Sequence, residues 1–141
     1  MDTVITPCGC PATLHLPLPP GTHAAPHARR SVTRMLALQP DVCPRAVAED
    51  LVLIVSELVT NAVLHAQGPY ALTVSLQPGR AGIAVGDGSP DLSGRRPDDP
   101  ARRIGPGGRG LKIVRALGAD LFVSRSGSGK QVVAVLTWQT G

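Results

Sequence analysis

Aromatic side chains are nearly missing from this chain. Tyr70, Phe122 and Trp138 are the whole supply, 2% of 141 residues. A core must therefore be built from Leu, Val, Ile and Ala. The shortage also argues against a single-stranded nucleic-acid binder, because bases would have no rings to stack on. Lysine is as scarce: Lys112 and Lys130 stand alone, and arginine carries the net charge of +4. Cysteine occurs at Cys8, Cys10 and Cys43, with no C-x-x-C pair. His15, His23 and His27 lie nearby, but the spacing is not that of a zinc site. The plainer reading is a frayed N-terminus and one buried thiol. Long apolar runs are lacking too. The best, Leu51 to Val55, is cut by Ser56 and Glu57, too short to cross a membrane. The N-terminus has no basic start followed by an apolar stretch, and five prolines from Pro7 to Pro20 interrupt it. No signal peptide is expected, and the cytoplasm is the expected location.

What is present fits one domain able to bury a core without disulfides. Residues 1–10 read as unstructured, and residues 11–141 as a single domain. Residues 12–18 alternate enough for an edge strand that tolerates Pro17. A helix is expected over about 24–38, stopped by Pro40. A second is expected to begin at Asp41 or Cys43, with Pro44 in its first turn, and to run to about Ala66 with Gly68 as its C-cap. Residues 70–76 and 81–85 read as a hairpin around Pro78-Gly79. Residues 86–110 contain seven glycines, four prolines and five arginines, with few apolar residues, which marks a functional or disordered loop. A helix over about 111–117, stopped by Gly118, precedes a second hairpin, 119–125 with 131–138. Clustered hairpins and helices sharing one apolar face predict an α+β two-layer sandwich, its mostly antiparallel mixed sheet covered on one face by about three helices.

Three glycine signals suggest phosphate binding. Ser126-Gly127-Ser128-Gly129-Lys130 ends like a P-loop, but Ser124 stands where the first glycine belongs and Gln131 where Ser or Thr belongs. It reads as a hairpin turn. Gly105-Pro106-Gly107-Gly108-Arg109-Gly110 fits G-x-G-x-x-G, yet no strand precedes it and no acid lies at the dinucleotide spacing. Its physical content survives: glycines before a helix N-terminus let backbone N–H groups approach an anion. Gly86-Asp87-Gly88-Ser89 is the third, a common turn taken alone.

The helix LVLIVSELVTNAVLHA, residues 51–66, is apolar nearly all round and should be buried. Glu57, Asn61 and His65 recur in it at intervals of four. At 100° per residue they drift about 80° in total, so they form one stripe. An unpaired buried carboxylate is costly, so the stripe should face a cleft, a partner or a ligand. Each residue also has a plain structural reading: Glu57 as an acid paired with arginine, Asn61 as a loop cross-link, His65 as a helix-end cation.

Followed downstream by Asp87 and the Gly107–Gly110 cluster, the segment Glu57-Leu58-Val59-Thr60-Asn61-Ala62-Val63-Leu64-His65-Ala66 resembles the N box of the histidine-kinase-like (GHKL, Bergerat-fold) ATPases. Within them it is most similar to the small bacterial anti-sigma-factor serine/threonine kinases. Asp87-Gly88 resembles the G1 box, and Gly108-Arg109-Gly110-Leu111 the G2 box. The resemblance runs from about residue 12 to 138 and implies the Bergerat fold, ATP and Mg²⁺. It implies that Asn61 holds Mg²⁺ through its amide oxygen and that Glu57 is the general base. Asp87 would accept a hydrogen bond from the adenine amine, a contact that rejects guanine. His65 would approach a phosphate oxygen, and residues 88–110 would form the ATP lid, bringing Gly108, Arg109, Gly110 and Leu111 to the phosphates. It also implies a sigma factor and an anti-anti-sigma antagonist as partners, the antagonist receiving phosphate on a serine or threonine. Family members often pair, so a homodimer is admitted. Two departures stand out. Ser89 occupies the glycine position of the usual Asp-x-Gly, and Lys130-Gln131 follow Gly129 where the family often has Gly-Thr.

From the length of the sequence, the histidine-bearing dimerisation helices of a sensor kinase are not expected in it. The alternative is a non-catalytic ATP-binding module that sequesters a partner. Direct nucleic-acid binding is not expected, because the arginines cluster in a loop and not on a helix that could enter a groove. No membrane partner is expected.

Overall fold

The computed structural model describes residues 12–89, 109–126 and 129–140. The expected unstructured N-terminus and most of the expected lid, including Gly108, lie outside the described residues. The elements run β1 (Ala12–Leu18), a 3-10 turn (Gly21–His23), α1 (Ala24–Ala37), α2 (Arg45–His65), β2 (Tyr70–Gln77), β3 (Arg80–Asp87), α3 (Arg109–Ala116), β4 (Asp120–Ser126) and β5 (Gly129–Thr137).

The five strands form one sheet in the order β1-β2-β3-β5-β4. Every pairing among them is antiparallel, where the sequence reading left room for a mixed sheet. Two hairpins dictate this. In the first, Pro78 and Gly79 make the turn, with Gly79 at φ +83°, a conformation costly to any residue with a Cβ. β1 lies at the sheet edge, as Pro17 requires. Strand residues alternate by face. Ala12, Leu14 and Leu16, then Leu72, Val74 and Leu76, then Ala81, Ile83 and Val85 all point inward and are buried. α1 and α2 pack on each other and on this face, and α3 packs against α2. The result is an α+β two-layer sandwich.

Among the described residues the core is aliphatic, with Met35 its one fully buried sulfur side chain. No aromatic is fully buried in it: Phe122 is exposed on edge strand β4, while Trp138 and Tyr70 are half-buried against the core, the Tyr70 hydroxyl donating to the Ala66 carbonyl at 2.8 Å. Cys43 is half-buried instead of fully buried, and desolvation raises its thiol pKa.

Four local expectations need correcting. α2 starts at Arg45, with Pro44 as the N-cap in extended conformation, because proline's fixed φ suits the cap as readily as the first turn. Its C-cap is Ala66, also extended, and Gly68 does not take a left-handed φ. Nor is α2 enclosed all round. Leu53 and Leu64 fall on one stripe with Thr60, and this outward stripe stays exposed because neither the sheet nor α1 reaches it. β3 extends through Gly86 to Asp87, so Asp87 ends a strand and does not belong to the following loop.

Gly118 does end α3 as expected. It sits at φ +92°, the Gly118 N–H donates to Arg115 O at 2.9 Å, and the Ala119 N–H donates to Val114 O at 3.4 Å. This is the Schellman pattern, which satisfies carbonyls that a helix end leaves open.

Candidate active site

The site lies where the C-terminal half of α2 passes over the ends of β3 and β5. Alternation along β3 puts Asp87 on the same inward face as Ile83 and Val85. It is the buried charged residue among the described residues. The four-residue spacing on α2 brings Asn61 and His65 to the same place. Together with Leu58, Ala62, Ala66, Val85 and Val132, these polar groups line a cavity of about 40 Å³. Asn61 is half-buried, and His65 is exposed at the mouth. The walls are aliphatic, as a chain nearly without aromatics requires. The volume holds only a few waters, so anything larger would need the rim side chains to move.

Asp87 is held by local geometry. The Ser89 N–H donates to Asp87 Oδ1 at 2.8 Å, the short loop in which an Asp side chain bonds its own backbone two residues on. The Ser89 hydroxyl in turn accepts the Gln67 N–H at 2.8 Å, and the Gly88 N–H donates to Gln67 O at 2.8 Å. The exit from β3 is thus stitched to the exit from α2. Ser89 therefore performs a structural task at the position where the resemblance favours glycine. Gly88 is needed for the approach: a Cβ there would lie 2.6 Å from the Gly68 carbonyl oxygen. Gly129 is needed more, because a Cβ there would run into the Asp87 carbonyl oxygen.

Sequence reasoning overlooked Lys130. It stands directly across from Asp87 in the β3–β5 register, lines the same cavity, and places Nζ 3.8 Å from Asp87 Oδ2. Its signals in the sequence were the P-loop-like ending of a hairpin, which misled, and its place after Gly129 where the family often has Gly-Thr, which marked a departure without giving Lys130 a role. Ser89 could have been read from the Asp-x-Ser spacing, which favours this local bond.

The remaining expected residues fall as follows. Glu57 is half-buried one turn before Asn61 and does not line the cavity. Ser56 turns toward α1, where its hydroxyl accepts from Arg29 Nη1 at 2.9 Å. Arg109 opens α3, with Gly110 next in the helix. The Leu111 side chain is buried in the core, so any contact with a phosphate there belongs to the backbone. Among the described residues no cluster of His, Cys, Asp and Glu could hold a metal ion by itself. That is compatible with Mg²⁺, which keeps its waters and uses few protein oxygens beside substrate phosphates. Asn61 offers one such oxygen. No helix among the described residues is long and apolar enough to cross a membrane.

A larger cavity of about 680 Å³ lies between α1 and α2, lined by residues that include Leu36, Gln39, Cys43, Glu49 and Val52. It is open and mostly apolar and includes none of the stripe residues.

No curated protein matches the chain. Among solved structures, it is similar to the histidine kinase domain of the blue-light activated histidine kinase from Erythrobacter litoralis EL346, at 21% identity and a TM-score of 0.45. The alignment covers 80% of this chain and 62% of that one, so this chain spans less than two thirds of that domain. The family model of the histidine kinase-like ATPase domain matches residues 18–136, from the end of β1 almost to the end of β5, and the chain belongs to that family.

Proposed function

We propose that the chain binds Mg·ATP in this cleft and transfers its γ-phosphoryl group to a serine or threonine of an antagonist protein, acting as an anti-sigma-type regulator that also binds a sigma factor. The observation that carries the reading is the buried Asp87 carboxylate at the end of β3, facing Asn61 and His65 across a cavity with aliphatic walls. A buried acceptor with no aromatic neighbour suits a flat base bearing an exocyclic amine. Asn61 would hold Mg²⁺ through its amide oxygen, and His65, at the mouth, would meet the phosphates. Bound Mg²⁺ would neutralise phosphate charge. Glu57 would take the proton from the acceptor hydroxyl as its oxygen attacks the γ-phosphorus. The bond from that phosphorus to the β,γ-bridging oxygen breaks, and ADP leaves with the electron pair.

A second reading, ATP binding and partner sequestration without turnover, draws support from Glu57, which does not line the cavity in this structure. Radiolabelled transfer to a candidate antagonist separates the two. Transfer that is present in the wild type and lost in Glu57→Ala supports the kinase. A thermal shift with Mg·ATP but no transfer supports the module. If Asp87→Asn keeps the full ATP-induced shift, the base site is wrong under both.

A further inference from the structure

Asp87, Lys130 and Arg125 form a row across the ends of three neighbouring strands. Asp87 opposes Lys130, and Lys130 opposes Arg125. Opposed residues of paired strands share a face, so the three stand on one face of the sheet, Asp87 and Lys130 lining the cavity and Arg125 next in the row beside it. The Lys130 side chain is 20% exposed and that of Asp87 1%. The separation of Nζ from Oδ2, 3.8 Å, is an ion pair but exceeds hydrogen-bond length. Neither group is saturated by the other. Oδ1 is occupied by the Ser89 N–H, which leaves Oδ2 as the side open to a ligand.

Two further facts direct the ammonium. On its other flank stands Arg125, whose Nε is buried and without a hydrogen-bond partner among the described residues. A like charge there disfavours a swing of Lys130 toward β4. A carboxylate as buried as Asp87 needs a countercharge, and a neutral base cannot supply one. Lys130 therefore stays beside Asp87 when a base enters, with two of its three N–H donors free to turn toward that base.

The result is an acceptor and a donor side by side. Adenine presents the complement: an amine that donates, flanked by ring nitrogens that accept. Guanine presents an acceptor oxygen in place of the amine, opposite Asp87. We propose that Lys130 is a base-reading residue, donating a hydrogen bond to a ring nitrogen next to the adenine amine while Asp87 accepts from the amine. The proposal rests on the ATP reading above and names the residue that completes it.

Binding of ATP, 1-deaza-ATP and 7-deaza-ATP to the full chain by calorimetry tests it. Each deaza analogue lacks one flanking acceptor. The wild type should bind one of the two roughly ten-fold more weakly than ATP, the loss expected when a charged donor is left unpaired. Lys130→Met should bind ATP and that analogue equally. Wild-type protein that binds all three alike overturns the proposal, and needs no variant to fold. A Lys130→Met protein that still discriminates as the wild type does also overturns it, because another group would then be the donor. The underlying ATP reading fails separately, by a wild type that binds no ATP or by Asp87→Asn binding it undiminished.

Discussion

The Gln67 N–H donates to the Ser89 hydroxyl at 2.8 Å, and this bond ties the end of α2 to the end of β3. Its importance lies in what it connects. His65 precedes Gln67 on one side, and Asp87 accepts from the Ser89 backbone on the other. Two hydrogen bonds, this one and the Gly88 N–H to Gln67 O, set the separation of helix and strand across the candidate base site, and the third fixes the Asp87 carboxylate on the strand side.

Ser89→Ala should lower stability by about 1 kcal/mol, the net worth of one hydrogen bond at a partly exposed position. Ser89→Gly should lose somewhat more, because the freed backbone also raises the entropy lost on folding. Thermal denaturation of the two variants beside wild type checks the order. Equal midpoints for all three would show that the stitch adds nothing.

Gly129→Ala should be destabilised by about 1–3 kcal/mol, because the new methyl group meets the backbone carbonyl of Asp87 and a strand must shift. Gly82→Ala is the matched control. It lies mid-strand with nothing near a built Cβ, and it should be neutral or gain up to about 1 kcal/mol by restricting the unfolded chain. Urea melts of both variants measure the contrast. Equal midpoints would refute the close approach.

Leu72→Ala, at 0% exposure in the centre of the inner sheet face, should cost about 2–5 kcal/mol. Leu64→Ala, at 70% exposure on the open stripe of α2, should stay within about 0.5 kcal/mol. A large loss at Leu64 would mean that this stripe is covered in solution, by a partner or a second copy.

Glu57→Gln should leave ATP affinity nearly unchanged and reduce phosphoryl transfer by roughly 100-fold or more, the usual share of a general base. Calorimetry and radiolabelled transfer must be read together. A parallel loss of affinity and transfer would place Glu57 among the nucleotide contacts and remove it from the role of base.

Much of the fold was legible along the chain. The patterns of residues 12–18, 70–76 and 81–85 announced strands, though not that the third runs on to Asp87. Pro78-Gly79 announced a turn, and Gly118 a helix end, because only certain residues take those backbone angles cheaply. The spacing of Asn61 and His65 put them on one stripe, and both line the cavity with Asp87. The enclosure of α2 was overestimated. Leu53 and Leu64 look like core residues in sequence, and only the reach of the neighbouring elements shows that they are not.

The sequence by itself determined the elements, their inward faces and the presence of a polar stripe on an apolar helix, because periodicity and turn chemistry act between near neighbours. It could not determine which distant residues meet. Strand register decided that Lys130 opposes Asp87, a pairing no local pattern encodes. Packing decided that Ser89 fastens β3 to α2, that Glu57 is set back from the cavity its neighbours line, and that Leu111 is committed to the core. These are contacts between segments far apart in the chain. They exist only once burial of the aliphatic faces has fixed how helix and sheet lie on each other.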